Sequence, residues 1–206
     1  MKILAVSDHV DDAVYNRRIG DRFEDVDIVV SCGDLPYSYL EFIATLLNVP
    51  CFYVHGNHDQ PEYRASGRTL TEPGGWIDLD GRTVEEKEVL LGGLEGSIRY
   101  KPDGRYQYSE PAMAWKILRM TPSLLFNRLW RGRYLDVLIA HSPPRGIHDG
   151  EDVAHRGFRS FLAFMDRFKP RYLLHGHKHV YGTEPKRTCY KETEVINVDP
   201  FRVIEY

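Results

Sequence analysis

The chain has 206 residues, 42% of them hydrophobic and 28% charged, proportions of an ordinary soluble globular protein with room for a sizeable core. A formal net charge of −3 gives no general attraction to nucleic acid, so such binding would need a local basic patch. After Met1-Lys2 the apolar run Ile3-Leu4-Ala5-Val6 gives way at once to Ser7-Asp8, too short for a signal-peptide core, and no apolar run approaches a bilayer span. The three cysteines, Cys32, Cys51 and Cys189, are scattered and odd in number, which implies no disulfide framework or metal knuckle. The expectation is one cytoplasmic domain over residues 1–206, with no transmembrane segment and no obligate protein partner.

Ile3–Val6, Asp27–Ser31 and Cys51–Val54 are short runs rich in Val and Ile that read as buried strands. Asp12–Phe23 and Tyr39–Leu47, between them, read as helices. This alternation predicts largely parallel strands joined by right-handed crossovers. Trp76–Leu79, Arg82–Glu86 and Val89–Gly92 are short and separated by turn signals such as Asp80-Gly81, which predicts a β-meander. Helices are expected over Glu110–Arg119 and Pro122–Trp130, then a strand over Leu135–Ala140, a helix over Phe158–Phe168 and a strand over Tyr172–His175. Strands over Thr188–Lys191, Glu194–Val198 and Arg202–Glu205 close the chain. The sum is an α/β fold with a mixed, two-sheet core.

The chemistry stands at the ends of the core strands. They end in Ser7-Asp8, in Cys32-Gly33-Asp34, in His55-Gly56-Asn57-His58-Asp59, in His141 and in His175-Gly176-His177-Lys178-His179. Ligands of open α/β sheets gather outside the carboxyl ends of the strands, so five strands deliver carboxylate, amide and imidazole groups to one rim. Oxygen and imidazole donors without thiolate suit Mn, Fe, Zn or Ni. Gly33, Gly56 and Gly176 each permit a sharp turn there. Any one of these polar residues alone is more often a cap or a turn residue; the five strand ends together form a pattern.

The blocks Gly33-Asp34, Gly56-Asn57-His58-Asp59, His141 after an apolar strand, and Gly176-His177-x-His179 resemble the calcineurin-like metallophosphoesterase signature, in order, from residue 8 to residue 179. The resemblance implies a four-layer α/β/β/α sandwich of two mixed sheets with two divalent or trivalent metal ions (Mn, Fe or Zn) at the rim. It implies that Asp34 bridges both ions, that Asn57, His141 and His177 complete one site, and that Asp8 and His179 belong to the other. His58 would contact the phosphate and protonate the leaving oxygen, oriented by Asp59. A bridging carboxylate holds two cations about 3.5–4 Å apart, and the water they share becomes a hydroxide nucleophile near neutral pH. An imidazole is a natural proton donor to an alkoxide at pH 7. The implied activity is hydrolysis of a phosphodiester or phosphomonoester, the diester favoured.

The first block departs from the family's Asp-x-His and reads Asp8-His9-Val10. Val10 cannot bind a metal. His9, in an extended segment, points away from Asp8 and would ligate only if the backbone bends sharply. One reading is a weak or absent first metal. The other starts from Gly33-Asp34-Leu35-Pro36-Tyr37, which resembles the Gly-Asp-x-x-Tyr of purple acid phosphatases, where a tyrosinate binds ferric iron; Tyr37 stands at that spacing. Packing at the start of a helix is the alternative for Tyr37.

For substrate contacts, the segment 142–150 with His155-Arg156-Gly157 resembles a loop of a phosphodiesterase-like subgroup. Arg145, His148, His155 and Arg156 are its candidates to meet a phosphate or a ribose, and Arg99 is another; solvated charge or a surface ion pair is the alternative for each. Residues 111–135 contain Lys116, Arg119, Arg128, Arg131 and Arg133, no acid, and Trp115, Phe126, Trp130 and Tyr134. That mixture suits single-stranded nucleic acid, a membrane surface or an anionic lipid. The plainer expectation is a helical pair with its apolar face on the core and its charges in water. The substrate classes in view are thus nucleotide, nucleic acid and lipid esters. A degenerate fold acting as a binding scaffold, as in some trafficking-complex subunits of this family, is the competing function; His58, Asp59, His177 and His179 favour the enzyme.

Overall fold

The computed structural model describes residues 1–65, 67, 69–179 and 186–206. The chain begins with β1 (Lys2–Val6), α1 (Ile19–Arg22), β2 (Ile28–Ser31), α2 (Tyr37–Leu47) and β3 (Cys51–Tyr53). The short strands β4 (Glu62–Tyr63), β5 (Thr69–Leu70) and β6 (Ile77–Asp78) follow. Next come β7 (Thr83–Glu86), β8 (Val89–Leu94), β9 (Ser97–Ile98) and β10 (Gln107–Tyr108), then the long helix α3 (Glu110–Arg131). Last are β11 (Val137–Ala140), α4 (Arg159–Phe168), β12 (Tyr172–His175), β13 (Arg187–Tyr190), β14 (Thr193–Asn197) and β15 (Phe201–Glu205). None of the described helices is long and apolar enough to cross a membrane.

One sheet has five strands in the order β15-β1-β2-β3-β6; the other has six, in the order β13-β14-β12-β11-β8-β7. Both are mixed. Their centres are parallel, and β1–β15, β13–β14 and β7–β8 pair antiparallel. Successive side chains of a strand point to opposite faces, so an unbroken apolar run buries both. Ile3, Ile28, Val30 and Phe52 meet Leu91, Ile139 and Leu174 between the sheets. Leu4 and Val29 pack outward against Ile19, Leu40 and Ile43 of α1 and α2. Leu138 and Leu173 pack outward against Met120, Leu124, Phe161 and Phe164 of α3 and α4. Four layers, α/β/β/α, result. Each large apolar side chain contributes about 1.5–3 kcal/mol on full burial, and truncating the fully buried Phe161 to Ala would cost about 3–5 kcal/mol.

The structure corrects the sequence reading in four places. The helix expected over Asp12–Phe23 forms only at Ile19–Arg22. Before it, Asp11 Oδ1 accepts from the Ala13 N–H (2.8 Å) and Asn16 Oδ1 from the Arg18 N–H (3.0 Å), local bonds that compete with a helix. The expected meander does not form either: Ile77–Asp78 joins β3 in the five-stranded sheet, and only β7 and β8 pair with each other. The two helices expected around Pro122 are one helix of 22 residues. Proline removes a single backbone bond there, the Thr121 hydroxyl adds one to Ile117 O (2.9 Å), and the Ser109 and Gly132 caps hold the ends.

The fourth correction concerns which face of α3 is buried. Met113, Met120 and Leu124 are inside, while Trp115, Leu118, Phe126, Leu129 and Trp130 are more than half exposed. Lys116 turns inward instead, to Asp80 (2.8 Å) and Glu95 (2.9 Å). Two acids held on the sheet side require a cation, and that requirement fixes the rotation of the helix.

Candidate metal centre

The strands that reach the rim leave their sheets abruptly. Asp8, Asp34 and His177 all have left-handed backbone, with φ of 62°, 57° and 67°, a conformation that costs a non-glycine residue of order 1–3 kcal/mol and gathers at functional sites. Neighbouring glycines let the backbone close on the two carboxylates. A Cβ on Gly56 would overlap the Asp34 carboxylate, and one on Gly176 would overlap the Asp8 carboxylate. The His58 N–H donates to Asp34 Oδ1 (2.8 Å), and the His177 N–H lies 3.0 Å from both oxygens of Asp8.

Four of the expected ligands converge at one point. His141 Nε2 lies 3.0 Å from Asn57 Oδ1, 3.0 Å from His177 Nδ1 and 3.3 Å from Asp34 Oδ2. Their outward atoms are occupied. His141 Nδ1 donates to Cys32 O (2.8 Å), His177 Nε2 donates to Ala154 O (2.7 Å), and the Asn57 amide donates to Tyr100 OH (3.1 Å). A carbonyl can only accept, so in the neutral rings the protons sit on the outer nitrogens and the inner nitrogens present lone pairs. Two imidazole nitrogens, an amide oxygen and a carboxylate facing one another repel unless a positive charge stands among them. The set fits a first-row divalent cation.

The electrostatics of the free chain express the same demand. Burial pulls His141 down, but the Asp34 carboxylate beside it outweighs burial and brings it up to about 9. Burial pushes Asp34 up, yet the His141 charge and hydrogen bonds bring it down to about 2. Burial and the His141 charge push His177 down to about 3. Asp8 is raised by burial. The fully buried His141 thus carries the balancing proton when nothing else does.

A second cluster adjoins the first. His9 Nδ1 lies 2.7 Å from Asp199 Oδ1, His179 Nδ1 lies 3.5 Å from Asp199 Oδ2, and the two rings are 4.4 Å apart. The condition set for His9 is met, since the backbone bends sharply at Asp8, closed by the His9 N–H on Ser7 O (2.7 Å), and the ring meets Asp199 rather than lying along an extended strand.

His58 is exposed on the rim, as a proton donor to a ligand would be. The Asp59 carboxylate accepts from the Gly56 N–H (2.8 Å), closing the turn that carries Asn57 and His58; it makes no hydrogen bond or ion pair with the His58 ring. Burial, then the Asp34 charge, raise Asp59 to about 7. Tyr37 is buried, with its ring 6.4 Å from that of His55 and its hydroxyl without a hydrogen bond among the described residues. Its packing belongs to the layer between the five-stranded sheet and α2.

Of the candidate substrate residues, His155 stands beside the centre, its ring 5.4 Å from that of His177 and its Nδ1 on Asp152 (2.9 Å). His148 has both ring nitrogens engaged, on His175 Nε2 (3.0 Å) and Thr188 Oγ1 (2.9 Å). Arg145 pairs with Asp149 (3.5 Å), and Arg99 donates to Gln107 O (3.3 Å). Arg156 Nε is buried without a hydrogen bond among the described residues.

Sequence reading missed Asp199 and Tyr100. Asp199 follows β14, which is parallel to β12 and ends on the same rim, so the expected strand Glu194–Val198 was a sixth signal of the kind used for the other five. Tyr100 gave none.

The family model for calcineurin-like phosphoesterases matches residues 1–181. The UDP-2,3-diacylglucosamine hydrolase of Salmonella agona (strain SL483) is 27% identical over 99% of this chain and 80% of its own. The enzyme of that name from Salmonella arizonae is 30% identical over 64% of this chain, and the match spans about half of the relative's length, 53%. The crystal structure of TT1561 of Thermus thermophilus superposes with a TM-score of 0.61 at 15% identity, over 96% of this chain and 88% of that one; that likeness concerns the fold.

Proposed function

Because the chain belongs to the calcineurin-like phosphoesterase family, we propose that it hydrolyses a phosphodiester at a centre of two bound divalent cations. The observation that carries this reading is the convergence of Asp34, Asn57, His141 and His177 from both sheets, with outer atoms tied and inner lone pairs facing one another. These four would hold one cation, Asp34 would be shared, and Asp8 and His179 would belong to the neighbouring position. Bound there, the cations supply a water of lowered pKa and neutralise phosphoryl oxygens.

The chain's own groups do the rest. The His58 backbone holds Asp34 and so fixes where the His58 side chain starts, on the exposed rim, from which it would give a proton to the departing oxygen. Asp59 keeps the turn closed through Gly56. Beside them a cavity of about 530 Å³, lined by Asp34, Tyr37, His58, Gln60, Glu62 and Tyr63, offers room for an organic leaving group, which favours a diester over a small monoester. The name of the Salmonella relatives describes a uridine nucleotide sugar, so a nucleotide ester is the first substrate class to try, with lipid and nucleic-acid esters next.

The test is turnover of bis(p-nitrophenyl) phosphate and p-nitrophenyl phosphate by metal-stripped protein, with and without Mn²⁺, beside His58→Ala. Restored turnover that prefers the diester, and that falls by about 10²–10⁴-fold in the variant, is expected. A folded protein inert with every divalent metal would point instead to a binding scaffold.

A further inference from the structure

We propose that His9, His179 and Asp199 hold the second cation, a two-imidazole, one-carboxylate position that replaces the ligand absent at Val10. The inference rests on reading the rim as a metal centre. It changes which residues complete that centre.

One donor atom from each of the three residues lies within 4.8 Å of the others. The carboxylate offers one oxygen to each ring, Oδ1 toward His9 Nδ1 at 2.7 Å and Oδ2 toward His179 Nδ1 at 3.5 Å. His179 Nδ1 is shielded from solvent and makes no hydrogen bond among the described residues. Buried polar atoms are almost always satisfied, so this nitrogen points to a ligand outside the protein's own hydrogen bonds. Asp199 is 5% exposed, which sets it apart from a solvated surface acid.

Each donor is pinned by a bond that a chance surface cluster would lack. The Asp199 N–H donates to Asn197 Oδ1 (3.0 Å), and Asn197 Nδ2 donates to Lys178 O (2.8 Å). One amide thus ties the end of β14 to the residue before His179, the kind of outer support that orients metal ligands. The Ser7 N–H donates to Pro200 O (3.1 Å), holding the turn that bears His9 against the turn that bears Asp199. Lys186 Nζ goes to the Asp199 backbone carbonyl (2.9 Å), while both rings face the carboxylate. Asp8 stands within electrostatic reach of both Asp34 and Asp199, so the two clusters adjoin through it.

The bend at Asp8 makes this arrangement possible. In an extended strand the residue two after an Asp shares its face, and Val10 would hold that place. The left-handed turn instead turns the next residue, His9, to Asp199. Nitrogen and oxygen donors in a ratio of two to one suit Zn²⁺, Fe²⁺ or Mn²⁺.

The experiment is calorimetric titration of the full metal-stripped chain with Mn²⁺ and Zn²⁺. Wild type, His9→Ala, Asp199→Asn and His141→Gln would be compared, with circular dichroism to check folding. His9 is more than half exposed at its side chain, so its variant should fold. Wild type should bind two equivalents. His9→Ala and Asp199→Asn should each weaken one equivalent by at least about tenfold and leave the other unchanged, while His141→Gln weakens the other one. A single equivalent in wild type, or two unaltered equivalents in His9→Ala, would overturn the proposal. Two equivalents without hydrolysis of any phosphate ester would sink the proposed function and leave this site standing.

Discussion

The Asn57 amide has two ends that must not be exchanged. Its oxygen faces His141 Nε2, and its nitrogen donates to Tyr100 OH (3.1 Å). Tyr100→Phe removes the acceptor, so the amide loses what holds its oxygen toward the centre. Outer partners of metal ligands are commonly worth about 10–100-fold in affinity. The variant should lose that much for one Mn²⁺ equivalent with its melting temperature nearly unchanged, as calorimetry and a thermal scan would show. Gly56→Ala acts from the other side. Its Cβ would meet the Asp34 carboxylate and backbone nitrogen, and the cation bound by Asp34 should be lost together with turnover. At this scale the sequence was legible where a candidate ligand sits in a short motif at a strand end, as Asp34, Asn57, His141 and His177 do, four residues that the structure brings together. It was silent where the partner is a backbone carbonyl, as with Cys32 and Ala154, or a tyrosine one loop away. The role of His9 hung on a sharp bend at Asp8, which a strand's period does not foretell.

Helix α3 meets the six-stranded sheet through its apolar face, through the Arg131–Glu85 pair and through Lys116, the most enclosed of these charges. Lys116 bonds Asp80 and Glu95, Glu95 also takes His55 Nδ1 (3.2 Å) and the Tyr108 hydroxyl, and His55 stacks on Tyr106. Removing the cation leaves the buried Glu95 facing the half-buried Asp80, so Lys116→Met should destabilise by about 3 kcal/mol, read as a fall in the urea midpoint. The network also fixes an acid limit. Burial raises Glu95, but His55 and Lys116 outweigh burial and bring it from 4.5 down to about 2. A carboxyl lowered on folding stabilises above its unfolded value and loses that contribution as pH falls, here between about 4.5 and 2. Asp80, raised by burial and by the Glu95 charge, takes up its proton first and works in the opposite sense. Urea midpoints at pH 5 and pH 3 should therefore separate in wild type and draw together in Glu95→Gln; equal separation in both would assign the acid limb elsewhere. The rotation of α3 was illegible in sequence because the helix carries two apolar stripes. Met113, Met120 and Leu124 form one and Trp115, Leu118, Phe126 and Leu129 the other, and only Asp80 and Glu95, distant in the chain, choose between them.

Across the whole molecule, the candidate ligands divide between the sheets. Asp8, Asp34 and Asn57 follow β1, β2 and β3 of one sheet, and His141 and His177 follow β11 and β12 of the other. The alternating apolar runs made two sheets legible in outline, since strands buried on both faces need helices outside. Their register was not legible, because β6 and β15 join the first sheet only through partners remote in sequence. A cation at this rim would close the sandwich at its carboxyl end, where polar side chains succeed the apolar layer of Ile3, Phe52, Ile139 and Leu174. A ligand that binds only the folded chain stabilises it by mass action, by about 2.7 kcal/mol at a hundred times its Kd. For a protein of this size each kcal/mol moves the melting temperature by about 2–4 °C. Saturating Mn²⁺ should therefore raise the Tm by roughly 5–10 °C, and EDTA should reverse the shift. His141→Gln, which removes a ligand from one sheet, and Asp34→Asn, which weakens one from the other, should each abolish most of that rise. A full Tm rise in both variants would mean that the ion binds away from the rim, and the cross-link between the sheets would have to be abandoned.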